Sequence, residues 1–236
     1  MALPQLAVKN FEVRQPSTGD KLTLRPFLVA EEKILLQAGD NMEDMLPAMK
    51  QVLGNCIQGE KMNLDELPAF DIEFIFLRLR SESVGATITL GLTHKEGCES
   101  TEVEINLREI KVHMDEDVKN DIMLDKKVGI KLKYPTMAMM DEFAQLDEDQ
   151  LQESSFTMIR ACIDQIYTTD GETHDAQSVS KEELDAFVNS MNTEQFMKLQ
   201  KFFEDMPTVK HTVKVPKCET CGAPFERELR GINSFF

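Results

Sequence analysis

Two hydrophobic periods share this chain, and the places where one gives way to the other mark its parts. In NFEVR and KLTLR, Phe11, Val13, Leu22 and Leu24 take every second position on either side of the turn-rich QPSTGD, which predicts a β-hairpin. Pro26 then interrupts, and in LVAEEKILLQAG the residues Val29, Ile34, Leu35 and Leu36 fall at helical spacing. Glu31 and Glu32 stand in the first turn, where the helix dipole favours acids, and Gly39 stops the helix. A second amphipathic helix is expected over MEDMLPAMKQVLGNCI, with Met45, Met49, Val52, Leu53 and Cys56 on one face and Pro47 close to its start. LPAFDIEFIFLRLRSES reads as a third and central helix. Asp71 is its expected cap, and Ile72, Ile75, Phe76 and Leu79 form a stripe thickened by Phe74 and Leu77.

After Val84 and Gly85 the period changes to two. Ile88, Leu90 and Leu92, then Val103, Ile105 and Leu107, alternate with polar residues around THKEGCES, the pattern of a hairpin with one buried face. MDEDVKNDIMLDKK is acidic and weakly periodic and reads as a connection, followed by a strand in VGIKLKYP. Two helices are expected next, in TMAMMDEFAQL and LQESSFTMIRACIDQIY, turning Met139, Met140, Phe143, Phe156, Ile159, Ile163 and Ile166 inward, with TTDGETHDAQS as a polar loop. Ser180 and Glu183 form a capping box before Leu184, Phe187 and Val188. NTEQFMKLQKFFEDMP repeats that plan with Phe196, Leu199, Phe202 and Phe203, so the two make a helical hairpin. The last segment, HTVKVP–KCETCG–APFERELRGI, has the same parts in the same order as the hairpin after Gly85.

The expected class is therefore α+β: a helical core with several β-hairpins, two of which, 84–112 and 208–232, are candidates to pair as a zinc-ribbon-like unit. The division is 1–83, an N-terminal hairpin plus helices; 84–135, the hairpin with a cysteine-bearing tip and the following strand; 136–207, helical; and 208–236, a C-terminal Cys-x-x-Cys hairpin packing back on 84–112.

Composition narrows the functions. The net charge is −16, with no stretch rich enough in lysine or arginine to neutralise a phosphate backbone, which argues against nucleic acid and for protein partners. The apolar runs fall well short of the roughly 20 residues a membrane span needs. MALPQLAVKN lacks the features of a secretion signal, so a reducing cytoplasm is expected, where five cysteines do not make a disulfide framework. Cys56 and Cys162 sit in apolar patterns and read as small buried hydrophobes. The 14 methionines suit adaptable interfaces, although filling gaps in a core is their commoner role.

Cys98, Cys218 and Cys221 remain. A Cys-x-x-Cys turn can aim both thiolates at one Zn2+, and Gly222 permits the tight turn after the second. His94 and Cys98, at the tip of the earlier hairpin, are the other closely spaced candidate ligands. One Cys3His site from His94, Cys98, Cys218 and Cys221 would close a loop of about 120 residues, a structural role. Against it, His94 can equally be a solvated turn residue. A redox role for Cys218 and Cys221 lacks a thioredoxin-like βαβ context.

No phosphate-binding glycine loop or nucleophile elbow appears, the acidic loop at 168–183 lacks calcium-loop spacing, and His113, His174 and His211 have no nucleophile paired with them by spacing. The chain reads as a non-enzyme.

RPFLVAEEKILL, FDIEFIFLRLRSESVG, the cysteine-bearing hairpin tip, LKYPTM and SKEELDAFVNSMNTEQFMKLQKFFEDMPTVKHTVKVPKCETCG together resemble the baseplate hub protein family of T-even-type contractile-tailed bacteriophages. The resemblance covers nearly the whole chain. It implies a non-enzymatic hub component or hub assembly factor whose partners are other phage baseplate hub and tail proteins. The implied location is the host cytoplasm during assembly and the virion tail baseplate; a transient chaperone absent from the mature virion is the alternative. A zinc-ribbon adaptor of nucleic-acid machinery is the competing class. In relatives both tips look like Cys-x-x-Cys; this chain departs at the first, where His94 and Cys98 stand.

Overall fold

The computed structural model describes residues 6–39, 42–59, 62–114, 119–144 and 151–235, and the chain divides into two compact units, 1–113 with 208–236, and 114–207. The first unit opens with the expected hairpin of β1 (Phe11–Arg14) and β2 (Lys21–Leu24), in register from Phe11 opposite Leu24 to Arg14 opposite Lys21. Helices α1 (Val29–Ala38), α2 (Met42–Cys56) and α3 (Ala69–Ser83) come next. Then come the hairpin β3 (Thr87–Thr93) and β4 (Ser100–Asn106), and β5 (Lys111–His113).

The second unit contains β6 (Asp121–Met123), β7 (Val128–Leu132), α4 (Met137–Ala144), α5 (Leu151–Ala161), β8 (Ile163–Thr168), β9 (Thr173–Asp175), α6 (Lys181–Asn189) and α7 (Thr193–Asp205). The chain then re-enters the first unit as β10 (Thr208–Val215) and β11 (Phe225–Arg230), closed by a 3-10 turn at Ile232–Phe235. It leaves and returns at one point, because His113 of β5 and Thr208 of β10 are ladder partners. The class is α+β, and the described residues form four small sheets: β1-β2, β3-β4, β11-β10-β5 and β6-β7-β8-β9. Among the described residues no helix is long and apolar enough to cross a membrane.

Helix α3 is central to the first unit, as its stripe predicts. Ile72, Ile75, Phe76 and Leu79 are fully buried, and the helix packs on β5, β10 and the C-terminal turn. Arg78 ties the helix to the segment after β4: its guanidinium lies 4.7 Å from the centroid of the Phe74 ring and donates to the carbonyls of Leu107 (3.1 Å) and Ile110 (2.7 Å). Asp71 is not the cap of this helix. It lies inside the first turn, fully buried, and accepts from Gln15 Nε2 (2.8 Å), the Ser17 N–H (3.0 Å) and the Ser17 hydroxyl, so its carboxylate anchors the β1–β2 loop. Pro47 lies within α2 rather than at its start.

In α1 only half of the expected face turns inward. Ile34 and Leu35 are half-buried, Val29 and Leu36 are largely exposed, and the buried residue is Glu31, whose carboxylate takes a forked contact from Arg25 (2.8 and 3.3 Å) and the Leu28 N–H (2.9 Å). A buried carboxylate with a matched guanidinium and a backbone donor is satisfied, and that pairing sets which side of the helix faces inward.

The second unit differs most from expectation. The helix expected across LQESSFTMIRACIDQIY ends at Ala161, and Ile163 and Ile166 belong to β8. The ladder explains why they mimic a helix. Leu132 pairs with Ile163 and Lys131 with Gln165, so Asp164 is an extra residue in a bulge. Residues three apart normally face opposite sides of a strand, but this insertion returns Ile166 to the face of Ile163, and both pack with Ile130, Leu132 and Ile159. The expected connection at 114–127 contributes β6, and the expected polar loop contributes β9 and a 3-10 turn at Ala176–Ser178. Met140 and Phe156 are substantially exposed rather than inward; the Phe143 side chain lies outside the described residues. The capping box of α6 forms as read, Ser180 Oγ accepting from the Glu183 N–H (3.3 Å) and Glu183 accepting from the Ser180 N–H (3.2 Å). Asn192 and Gln195 form its counterpart on α7.

Candidate metal centre

The β3–β4 ladder ends at the pair Thr93 and Ser100, leaving residues 94–99 as its tip; the β10–β11 ladder ends at Val215 and Phe225, leaving 216–224. Each tip is built by glycine and a reversed backbone hydrogen bond. Gly97 has a φ of 81°, and the Cys98 N–H donates to the Lys95 carbonyl (3.0 Å). Gly222 has a φ of 75°, which favours a residue without a Cβ; its N–H donates to the Cys218 carbonyl (2.9 Å), and the Cys218 N–H donates to the Ala223 carbonyl (2.8 Å).

Both tips belong to the first unit, and they meet. The candidate ligand atoms of His94, Cys98, Cys218 and Cys221 all lie within 4.8 Å of one another, and His94 Nδ1 is 3.2 Å from Cys221 Sγ. A tetrahedral Zn2+ with ordinary bond lengths sets sulfurs ~3.8 Å apart and nitrogen and sulfur ~3.6 Å apart. The cluster is therefore of the right size for one ion, and its donor set of three thiols and an imidazole could hold a metal ion.

The electrostatics favour thiolate on one ligand before any metal is considered. The backbone N–H groups of Cys221 and Thr220 donate to Cys218 and bring its thiol down to about 6, even though the residue is fully buried. Burial and the neighbouring Cys218 and Cys221 sulfurs instead push the Cys98 thiol up. Positive charge at the centre of the four would relieve that mutual repulsion.

A second layer holds the tips together. The Glu99 N–H donates to Thr220 Oγ1 (2.9 Å), and the Glu219 N–H donates to the buried Thr101 Oγ1 (3.3 Å). Arg227 Nη2 donates to the carbonyls of Thr93 and His94, the latter at 3.3 Å. The His94 ring stacks on Phe225 with centroids 4.9 Å apart and planes 14° from parallel. Sequence reasoning missed Thr101, Thr220, Phe225 and Arg227, since nothing in their local pattern ties them to a hairpin far away. The one available signal was that Phe225 and Arg227 alternate along the strand that leaves the Cys-x-x-Cys knuckle.

The remaining chemistry-bearing residues do not join this cluster. Cys56 and Cys162 are buried, and burial raises their thiols to about 11 and about 12, as expected of inert core residues. His113, His174 and His211 lie on β5, β9 and β10, so His174 stands on a strand where a polar loop was expected. Four protein donors are the number that a tetrahedral structural Zn2+ takes, and an ion held by all four would leave no position for a reacting water.

Two comparisons with known proteins bear on identity. A family model described as T4 bacteriophage base plate protein matches residues 8–236, a span that includes both hairpin tips. No solved structure matches the chain.

Proposed function

The chain belongs to the T4 bacteriophage base plate protein family, and from that premise we propose that it is a non-enzymatic component or assembly factor of the baseplate hub, acting through protein–protein contacts. The observation that carries this reading is the extent of the family match, which leaves out only the first seven residues. Other phage baseplate proteins are the partners it implies. The net charge of −16 supports protein surfaces over nucleic acid and disfavours the adaptor reading.

In the same proposal, Zn2+ bound by His94, Cys98, Cys218 and Cys221 clasps the hairpin tips of segments 84–112 and 208–236. The metal would neutralise thiolate charge and cross-link the chain; it would carry out no reaction. Function then resides in the protein's outer surfaces, and the clasp keeps the C-terminal hairpin in place to present them.

The test is affinity capture of the tagged full chain from infected cells, compared with the protein content of purified mature particles. Recovery of hub proteins in both samples is expected for a retained subunit, and recovery only from infected cells for an assembly factor. Capture that brings down no baseplate protein, with the chain also missing from particles, overturns the proposal.

A further inference from the structure

Phe225 and Arg227 are two residues apart on β11, so their side chains leave the same face of the strand. Both reach His94, the one candidate ligand of the four that is not a cysteine. Phe225 stacks on the His94 imidazole, and Arg227 donates to the main-chain carbonyls of Thr93 and His94. An imidazole on a hairpin tip has two free torsions, and a metal site needs its nitrogen at one place. A thiolate at the end of a shorter side chain needs less support.

We infer that Phe225 and Arg227 are positioning residues for His94: the ring fixes the plane of the imidazole, and the guanidinium fixes the backbone from which it projects. The inference rests on the Cys3His metal reading above. It explains how a histidine can stand where a second cysteine would be simpler, since the C-terminal hairpin supplies the orientation along with two ligands.

Co2+ binding to the full chain tests this, because the d–d bands report the ligand set and competition with a chelator reports affinity. The unaltered protein should bind one Co2+ with bands of a three-sulfur, one-nitrogen site. R227A and F225A should each weaken binding by about 10- to 100-fold and shift the bands toward those of H94A, where water replaces the ring; F225Y, which keeps the stack, should restore them. The decisive arm is the cycle with H94A. If Phe225 and Arg227 act through His94, adding F225A or R227A to H94A changes affinity no further, whereas a general loosening of the hairpin adds its full effect. Arg227 is exposed, so R227A carries the test even if F225A unfolds. Unchanged bands and affinity in R227A, or full additivity with H94A, overturns the inference while leaving the metal site intact. Absence of Co2+ and Zn2+ binding by the unaltered protein overturns the metal reading itself.

Discussion

The imidazole Nδ1 of His94 lies 3.2 Å from the sulfur of Cys221, a residue 127 positions further along the chain. No β-ladder joins their two hairpins, since β3-β4 forms one sheet and β11-β10-β5 another. The contact rests on side chains at the two tips, so a cross-link there restrains the unfolded chain over a very long loop. By loop-closure arguments such a link is worth about 3–5 kcal/mol.

Chelation should therefore lower the melting temperature of the full chain by several degrees, and added Zn2+ should restore it. C218S should melt like the chelated protein and gain nothing from Zn2+. Differential scanning calorimetry with and without chelator makes the comparison.

A second prediction concerns pH. Burial pushes the Glu73 carboxyl up to about 7 from an ordinary 4.5, against the opposing pull of the Ile232 N–H that donates to it. The folded state thus holds this proton more tightly than the unfolded state. Glu73 contributes no penalty below about 4.5; the penalty grows as pH rises from there and is complete above about 7, where it reaches at most roughly 3 kcal/mol. E73Q keeps an acceptor for the Ile232 N–H and removes the charge. It should be more stable than the unaltered protein at pH 8, and the advantage should fade as the pH is lowered toward 5, measured by urea unfolding at both values.

The Arg25–Glu31 pair gives the opposite sign. Arg25 and, less strongly, the Leu28 N–H hold the Glu31 carboxyl below its usual range despite burial. Its stabilisation is present above about 4.5 and is lost as pH falls through the depressed value. R25A leaves a buried carboxylate without its counter-ion and should cost about 3–5 kcal/mol near neutral pH. Adding E31Q to R25A should recover a large part of that loss. Urea midpoints of the single and double variants decide it.

Much of this protein was legible because its hairpins and helix caps are local. Alternation around two cysteine-bearing tips, and Ser180 three residues before Glu183, announce themselves within a few residues, and the structure has them where the pattern puts them. What misled is nonlocal. Asp164 bulges because of how β8 pairs with β7, and the bulge gives Ile163 and Ile166 a spacing that a helix also produces. Glu31 turns inward because Arg25 lies across from it, overriding a helical stripe that pointed Val29 and Leu36 to the core. Asp71 stands where caps stand, yet its partners Gln15 and Ser17 are on a loop more than 50 residues earlier.

The four candidate ligands were readable from residue type and spacing; the parts that orient them were not. Arg227 looks like any charged residue on an exposed strand until its guanidinium is seen on the carbonyls of Thr93 and His94. Such contacts depend on where two hairpins meet.

Elemental analysis of the purified full chain, prepared without chelator, tests the clasp most directly. About one Zn2+ per chain is expected for one four-ligand site, falling to near zero in C218S. A zinc content near zero in the unaltered protein, with melting indifferent to chelator, would contradict it.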